Sequence, residues 1–130
     1  MKRLFLAIAM AITGCAAHQN MATKYEGKSA EEAFADVTDA RHFWLRDFEI
    51  GNDRAGTRYS SAPLSYKMCI VDESIKLSPQ PVLDAVDHFL ESKTQENYNK
   101  IIELTDAFGD QYLAEHGERP VSTASRICNS

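Results

Sequence analysis

The stretch SPQPVLDAVDHFLESKTQENYNKIIELTDAFGDQYLAEHG, residues 78–117, reads as two amphipathic helices separated by a few polar residues. Ser78-Pro79 opens the first, because proline is tolerated where the helix N–H groups have no partner in any case. A turn of 100° per residue then gathers Val82, Leu83, Ala85, Val86, Phe89 and Leu90 on an inner face. The second helix begins after Thr94 and is expected to run to His116 and end before Gly117. Tyr98, Ile101, Ile102, Phe108, Tyr112 and Leu113 line one of its sides, with Thr105 and Gly109 in the same stripe. A glycine there costs about 1 kcal/mol in propensity against alanine, so Gly109 implies the close approach of another helix, with a kink as the alternative. His116, in the last turn, has a structural role to play as a cation favoured by the helix dipole.

The chain before this stretch follows the same period. Ser29-Ala30-Glu31-Glu32 has the spacing of a capping box and starts a helix. Its apolar side is Ala30, Ala33, Phe34, Val37, Ala40, Trp44, Leu45 and Phe48, and Gly51 is expected to stop it. Arg41 falls inside that apolar stripe. The ordinary expectation is a side-chain stem laid along the core with a solvated head; the sharper one is an interior ion pair or an anion site. GNDRAGTRYSSAP, residues 51–63, is a loop by its Gly, Asn, Asp, Ser and Pro content. A further helix follows it, with Ser61 as cap, Pro63 in the first turn, and Leu64, Met68, Val71 and Ile75 as its stripe. Tyr66, Ile70 and Leu77 lie on another side, as in a central helix, although residues 66–71 also partly fit a short strand. Pro120 begins a short turn or helix with Val121, Ala124 and Cys128 on one side. The expected fold is therefore all-α: a small bundle of four principal helices plus a short C-terminal turn or helix. Its core is expected to include Phe34, Val37, Trp44, Phe48, Met68, Val71, Val86, Phe89, Ile101, Phe108 and Tyr112.

The amino-terminal twenty residues, MKRLFLAIAMAITGCAAHQN, obey a different logic. Lys2 and Arg3 precede an apolar run from Leu4 to Ile12, then come small residues: the order of an export signal. Such a run spans only about 14 Å as a helix, roughly half of a bilayer's hydrocarbon core, so it is read and removed rather than retained across a membrane. Ile12-Thr13-Gly14-Cys15 resembles the lipobox of bacterial lipoproteins, a likeness that covers about the first fifteen residues. The resemblance implies a diacylglyceryl thioether on Cys15, cleavage before it and an acylated amino terminus, so that two or three chains hold the protein durably on a membrane. Ala16 stands where an aspartate commonly marks inner-membrane retention in that family, which favours the outer membrane if the source is Gram-negative. The alternative is an ordinary cleaved signal that leaves Cys15 as a thiol. On this reading residues 1–14 are signal peptide, 15–28 a lipid-anchored tether of polar residues without periodicity, and 29–130 the helical domain.

With Cys15 assigned to lipid, Cys69 and Cys128 remain as a pair in an oxidising compartment and are expected to form a disulfide; the alternative is two buried thiols that never meet. Removing Lys2 and Arg3 lowers the basic count from 14 to 12 against 19 acids, a formal balance of −7. That balance argues against nucleic acid and against broad contact with anionic lipid, and is compatible with a basic protein partner.

Chemistry is thinly represented. No Gly-rich phosphate loop, zinc-type cysteine spacing or nucleophile elbow occurs, so neither an enzyme nor a cofactor is expected. Asp84, Asp87, His88 and Glu91 are neighbours on the outer face of the helix after Pro79. One exposed helix face does not supply the three or four convergent ligands that a metal requires, so the stripe reads as a solvated face, with docking of a basic partner as its functional alternative. The expected role is a small envelope lipoprotein that binds a protein or serves as a structural module on the periplasmic side. An immunity-type inhibitor of a periplasmic toxin is the alternative. YKMCIVDE, residues 66–73, followed by helices and a late cysteine, resembles the small periplasmic immunity proteins against secreted peptidoglycan amidases, and no binding residue is carried over from them.

Overall fold

The computed structural model describes residues 24–55 and 61–129. The signal segment, the Ile12 to Cys15 motif and the tether as far as residue 23 lie outside the described residues. Six helices occur among those described: α1 (Ala30–Ala33), α2 (Ala40–Ala55), α3 (Leu64–Leu77), α4 (Gln80–Glu91), α5 (Gln95–His116) and α6 (Pro120–Cys128). The domain is all-α, and residues 66–71 belong to a helix rather than a strand. No helix among the described residues is long and apolar enough to cross a membrane.

The helix expected to run unbroken from Ser29 is in fact two. Its start is as read: the Ser29 hydroxyl accepts the Glu32 N–H at 3.2 Å, and the Glu32 carboxylate accepts the Ser29 N–H at 3.0 Å. The first helix stops after one turn, at Ala33. Val37 and Thr38 are β-branched and stiff, and Asp39 turns its side chain to the His42 N–H at 2.8 Å, capping a new start instead of continuing the old one. The intervening turn aims Phe34 and Val37 into the core, where Val37 is 0% exposed. Arg46, one helix later, closes the break by donating to the Ala33 carbonyl and to both oxygens of Asp36.

The break also resets the helical phase. Phe43 and Ile50, seven residues apart, are buried in α2, whereas Trp44 and Phe48 from the expected stripe are only partly buried. The expected stop at Gly51 is overturned as well. A glycine ends a helix through a left-handed backbone, which Gly27 and Gly117 adopt and Gly51 does not, so α2 runs on to Ala55.

Later boundaries follow the sequence closely. Pro63, not Ser61, sits at the N-cap of α3, and Pro79 does so for α4, neither with a side-chain cap bond. Thr94 caps α5 by accepting the Asn97 N–H at 3.1 Å, and Gly117, at φ 77°, ends it by returning its N–H to the Leu113 carbonyl. The C-terminal piece is a helix.

Four rings, one from the turn after α1 and one each from α2, α4 and α5, form the centre. Phe34 lies 4.9 Å from Phe43 in a stacked pair and 5.4 Å from Phe89 edge-on, while Tyr98 lies 5.3 Å from Phe34. Offset and edge contacts of this kind add about 1 kcal/mol each beyond the area they bury. Tyr98 satisfies its hydroxyl by donating to Asp47 at 2.7 Å. Val37, Ile50, Val86 and Ile101 belong to the same cluster, with Ala30 and Ala33, and Tyr25 packs against its edge under the guanidinium of Arg46. On the other side α3 packs against both α2 and α6, burying Ile70, Val71 and Ala124. Of the expected core, Phe34, Val37, Val71, Val86, Phe89 and Ile101 are buried; Met68, Phe108 and Tyr112, like Trp44 and Phe48, are half-buried.

Candidate protein-binding surfaces

The two cysteines within the described residues are joined. Cys69 in the middle of α3 and Cys128 at the end of α6 form a disulfide with a Cα separation of 6.0 Å, across 59 residues of sequence. A ring of that length stabilises by about 4 kcal/mol in the chain-entropy account. Beside it, the Tyr66 hydroxyl meets Ser125 Oγ at 2.9 Å and accepts from the Asn129 amide at 2.8 Å, so polar contacts fix the same two helices in register.

Of the readings offered for Arg41, the ion pair is the one that forms, but it is exposed rather than interior. Its side chain is 59% exposed and forms two bonds to the Asp72 carboxylate of α3, at 2.9 and 3.0 Å. Those hydrogen bonds hold Asp72 below the ordinary carboxylate range. The pair lies at the surface because the break at residues 34–39 resets the phase of α2, so that Arg41 is not in the apolar stripe to which a continuous helix would have assigned it.

The stripe on α4 is where the sequence put it. Asp84, Asp87, His88 and Glu91 are all exposed, opposite the buried Val82, Val86 and Phe89. Asp84 accepts a hydrogen bond from Gln80 one turn earlier, at 2.8 Å. Among the described residues no group of three or more His, Cys, Asp or Glu side chains converges as a metal site would.

Two clefts flank Phe108, and sequence reasoning singled out neither. One, of about 240 Å³, lies between α2, α3, α5 and the start of α6, lined by Trp44, Phe48, Val71, Phe108, Gly109 and Val121 with Asp47, Ser74 and Arg119 among its polar groups. The other, of about 380 Å³, lies between α5 and the Pro79–Val82 turn and includes Leu104, Ala107 and Tyr112. Gly109 was the available signal. Its close neighbour is not a helix backbone but Arg119, whose Nη1 lies 2.8 Å from the place a β-carbon would occupy. Arg119 crosses α5 at that point and reaches Asp110 at 3.1 Å, forming one wall of the first cleft. Trp44 also lines this cleft, and its indole N–H is buried without an acceptor among the described residues.

The turn into α6 is held by a polar chain. Tyr112 donates to Thr123 at 3.0 Å, Thr123 donates to Glu118 at 2.6 Å, and Arg126 donates to the same Glu118 oxygen. The bond from Arg126, followed by that from Thr123, lowers the Glu118 pKa. These contacts fix the position of Val121 and Arg119 at the cleft mouth. No protein-family model, curated protein or solved structure matches the chain.

Proposed function

We propose that this chain is a small lipoprotein of the cell envelope, held through acyl chains on Cys15, that acts by binding a protein or as a structural module on the periplasmic side. The observation that carries the reading is Ile12-Thr13-Gly14-Cys15 behind Lys2, Arg3 and an apolar run. The Cys69–Cys128 bridge supports it, since disulfides persist in oxidising compartments. A helical domain behind a tether, with charged outer faces, suits recognition of another protein. The outer membrane is the expected site in a Gram-negative source, and nucleic acid is not an expected partner.

A second reading, immunity to a periplasmic toxin, draws on the stapled helical domain and on the YKMCIVDE stretch that contributes Cys69 to the bridge. A toxin gene directly adjacent to this one favours immunity, and an envelope-assembly operon favours docking. The anchor itself is tested by mass spectrometry and fractionation. An acylated Cys15 at the mature terminus, with the protein in the membrane fraction and released or misprocessed by Cys15→Ala, supports the proposal. An unmodified terminus elsewhere overturns it.

A further inference from the structure

The chain enters the domain at one end of its longest helix. Tyr25 packs against the edge of the aromatic cluster, with the Arg46 guanidinium 5.3 Å from its ring centroid, and the Lys28 N–H returns to the Tyr25 carbonyl at 3.1 Å. Shortly after, the Ala30 N–H donates to the Gln95 side chain at 3.0 Å, which holds this entry beside the first turn of α5. The Lys93 ammonium donates to the Ala35 carbonyl at 3.4 Å, so the α4–α5 turn belongs to the same end.

From there α5 runs for 22 residues, about 33 Å. Its last turns meet the start of α4, where Gln111, Tyr112 and Glu115 share the second cleft with Pro79 and Pro81, and Gly117 turns the chain toward α6. The molecule thus has an end where the chain enters and an opposite end about one helix length away.

Lys24 lies nine residues after Cys15, and nine residues reach at most about 32 Å in any conformation. With acyl chains on Cys15 held in a bilayer, that leash is no longer than α5 itself. Turning the opposite end to the bilayer would need nearly all of it drawn straight, against the conformational entropy of the chain. Laying the domain on its α4 side would press Asp84, Asp87 and Glu91, all exposed, toward the headgroups, where a chain of formal charge −5 gains nothing from anionic lipid.

We infer that the anchored domain stands with α1 and the α4–α5 turn toward the bilayer, and that it offers the opposite end to a soluble protein of the periplasm. That open surface is where the first turn of α4, the last turns of α5 and the start of α6 meet. The inference rests on the lipoprotein reading above and goes beyond it by naming which surface a partner reaches.

The test uses the full lipidated protein in vesicles of phosphatidylethanolamine with a minor share of phosphatidylglycerol and an acceptor dye on the lipid. Fluorescein is coupled to an azide-bearing residue that replaces Glu96 or, in a second variant, Ala114. Both positions are exposed on α5, and their spacing is five whole turns, so the probes share a face and differ by about 27 Å along the axis. Energy transfer to the lipid dye should be at least about twofold stronger from position 96, as a height difference of that order implies. An anti-fluorescein antibody, a protein-sized probe, should bind several-fold faster at position 114. Lengthening the leash by about twenty Gly and Ser residues after Gln19 should shrink both differences. Circular dichroism should match the wild type in every variant. Equal transfer from the two positions, stronger transfer from 114, equal antibody rates, or differences that survive the longer leash overturn the inference. Those outcomes leave the lipoprotein reading intact, because flotation with the vesicles and acylation of Cys15 are scored on the same samples. Protein that carries no acyl group and does not float overturns both.

Discussion

Arg46 and Asp36 meet in a two-toothed pair, both contacts at 2.9 Å, across the break that separates α1 from α2. Hydrogen bonds from Arg46 are the main reason the Asp36 carboxyl falls from 3.8 to about 2. A carboxylate whose folded pKa is depressed adds stability above its unfolded value, and that stability is lost as pH falls through the folded value. The contribution of Asp36 is therefore complete above about pH 4 and gone below about pH 2. Melting temperatures of the wild type and Asp36→Asn should differ at pH 6 and converge near pH 2. Parallel curves over that range would show that the pair contributes nothing to the acid limb.

The phase of α2 can be tested by paired truncations. Phe43→Ala removes a ring that touches both Phe34 and Phe89 and should cost about 4 kcal/mol in urea unfolding. Leu45→Ala lies on the face that a continuous helix would have buried, is only half-buried, and should cost about 1 kcal/mol. Equal costs would mean that the helix is not broken as described.

Why α4 and α5 were legible and α2 was not is a matter of what interrupts the period. From Ser78 to Gly117 the stops are local: Pro79, Thr94 and Gly117 act within one turn of themselves, and each stands at the observed boundary. The α1–α2 break depends on Asp39 capping at short range and on Arg46 returning from a later turn to Ala33 and Asp36. The second of these is a tertiary contact that periodicity cannot reveal. Once the phase slipped, Phe43 was missed and Arg41 was assigned to the wrong face. The cleft was hidden for a related reason: Gly109 signalled a close neighbour, but only the folded chain shows that the neighbour is Arg119. The α4 stripe was readable because an amphipathic helix exposes whatever lies opposite Val82, Val86 and Phe89.

Two glycines should respond in opposite directions to the same substitution. Gly51 lies within α2, and a β-carbon there would meet nothing within 4 Å, so Gly51→Ala should raise stability by about 0.5 to 1 kcal/mol. Gly117 holds φ at 77°, and Gly117→Ala should cost about 1 kcal/mol through backbone strain. Thermal melts of the two variants settle both signs.

Reduction of the Cys69–Cys128 bridge should lower the melting temperature markedly, with a loss of about 2 to 5 kcal/mol in urea unfolding. Peptide mapping without reductant should recover the two cysteines together. Alkylation of both thiols in unreduced native protein would rule the bridge out.

That bridge also divides the molecule under tension. Pulled between Tyr25 and Cys128, the chain yields only as far as Cys69, because everything from there to the end of α6 is a closed covalent ring. The extensible part is α1, α2 and the first turn of α3, about 160 Å when drawn out, whereas the unbridged domain would give about 370 Å. A strain that peels α2 from Phe89 and Tyr98 therefore leaves the chain from Cys69 to the end of α6 joined, and the disulfide acts as a stop that keeps the far wall of the Trp44 cleft, α5 and α6, on a ring that tension alone does not open.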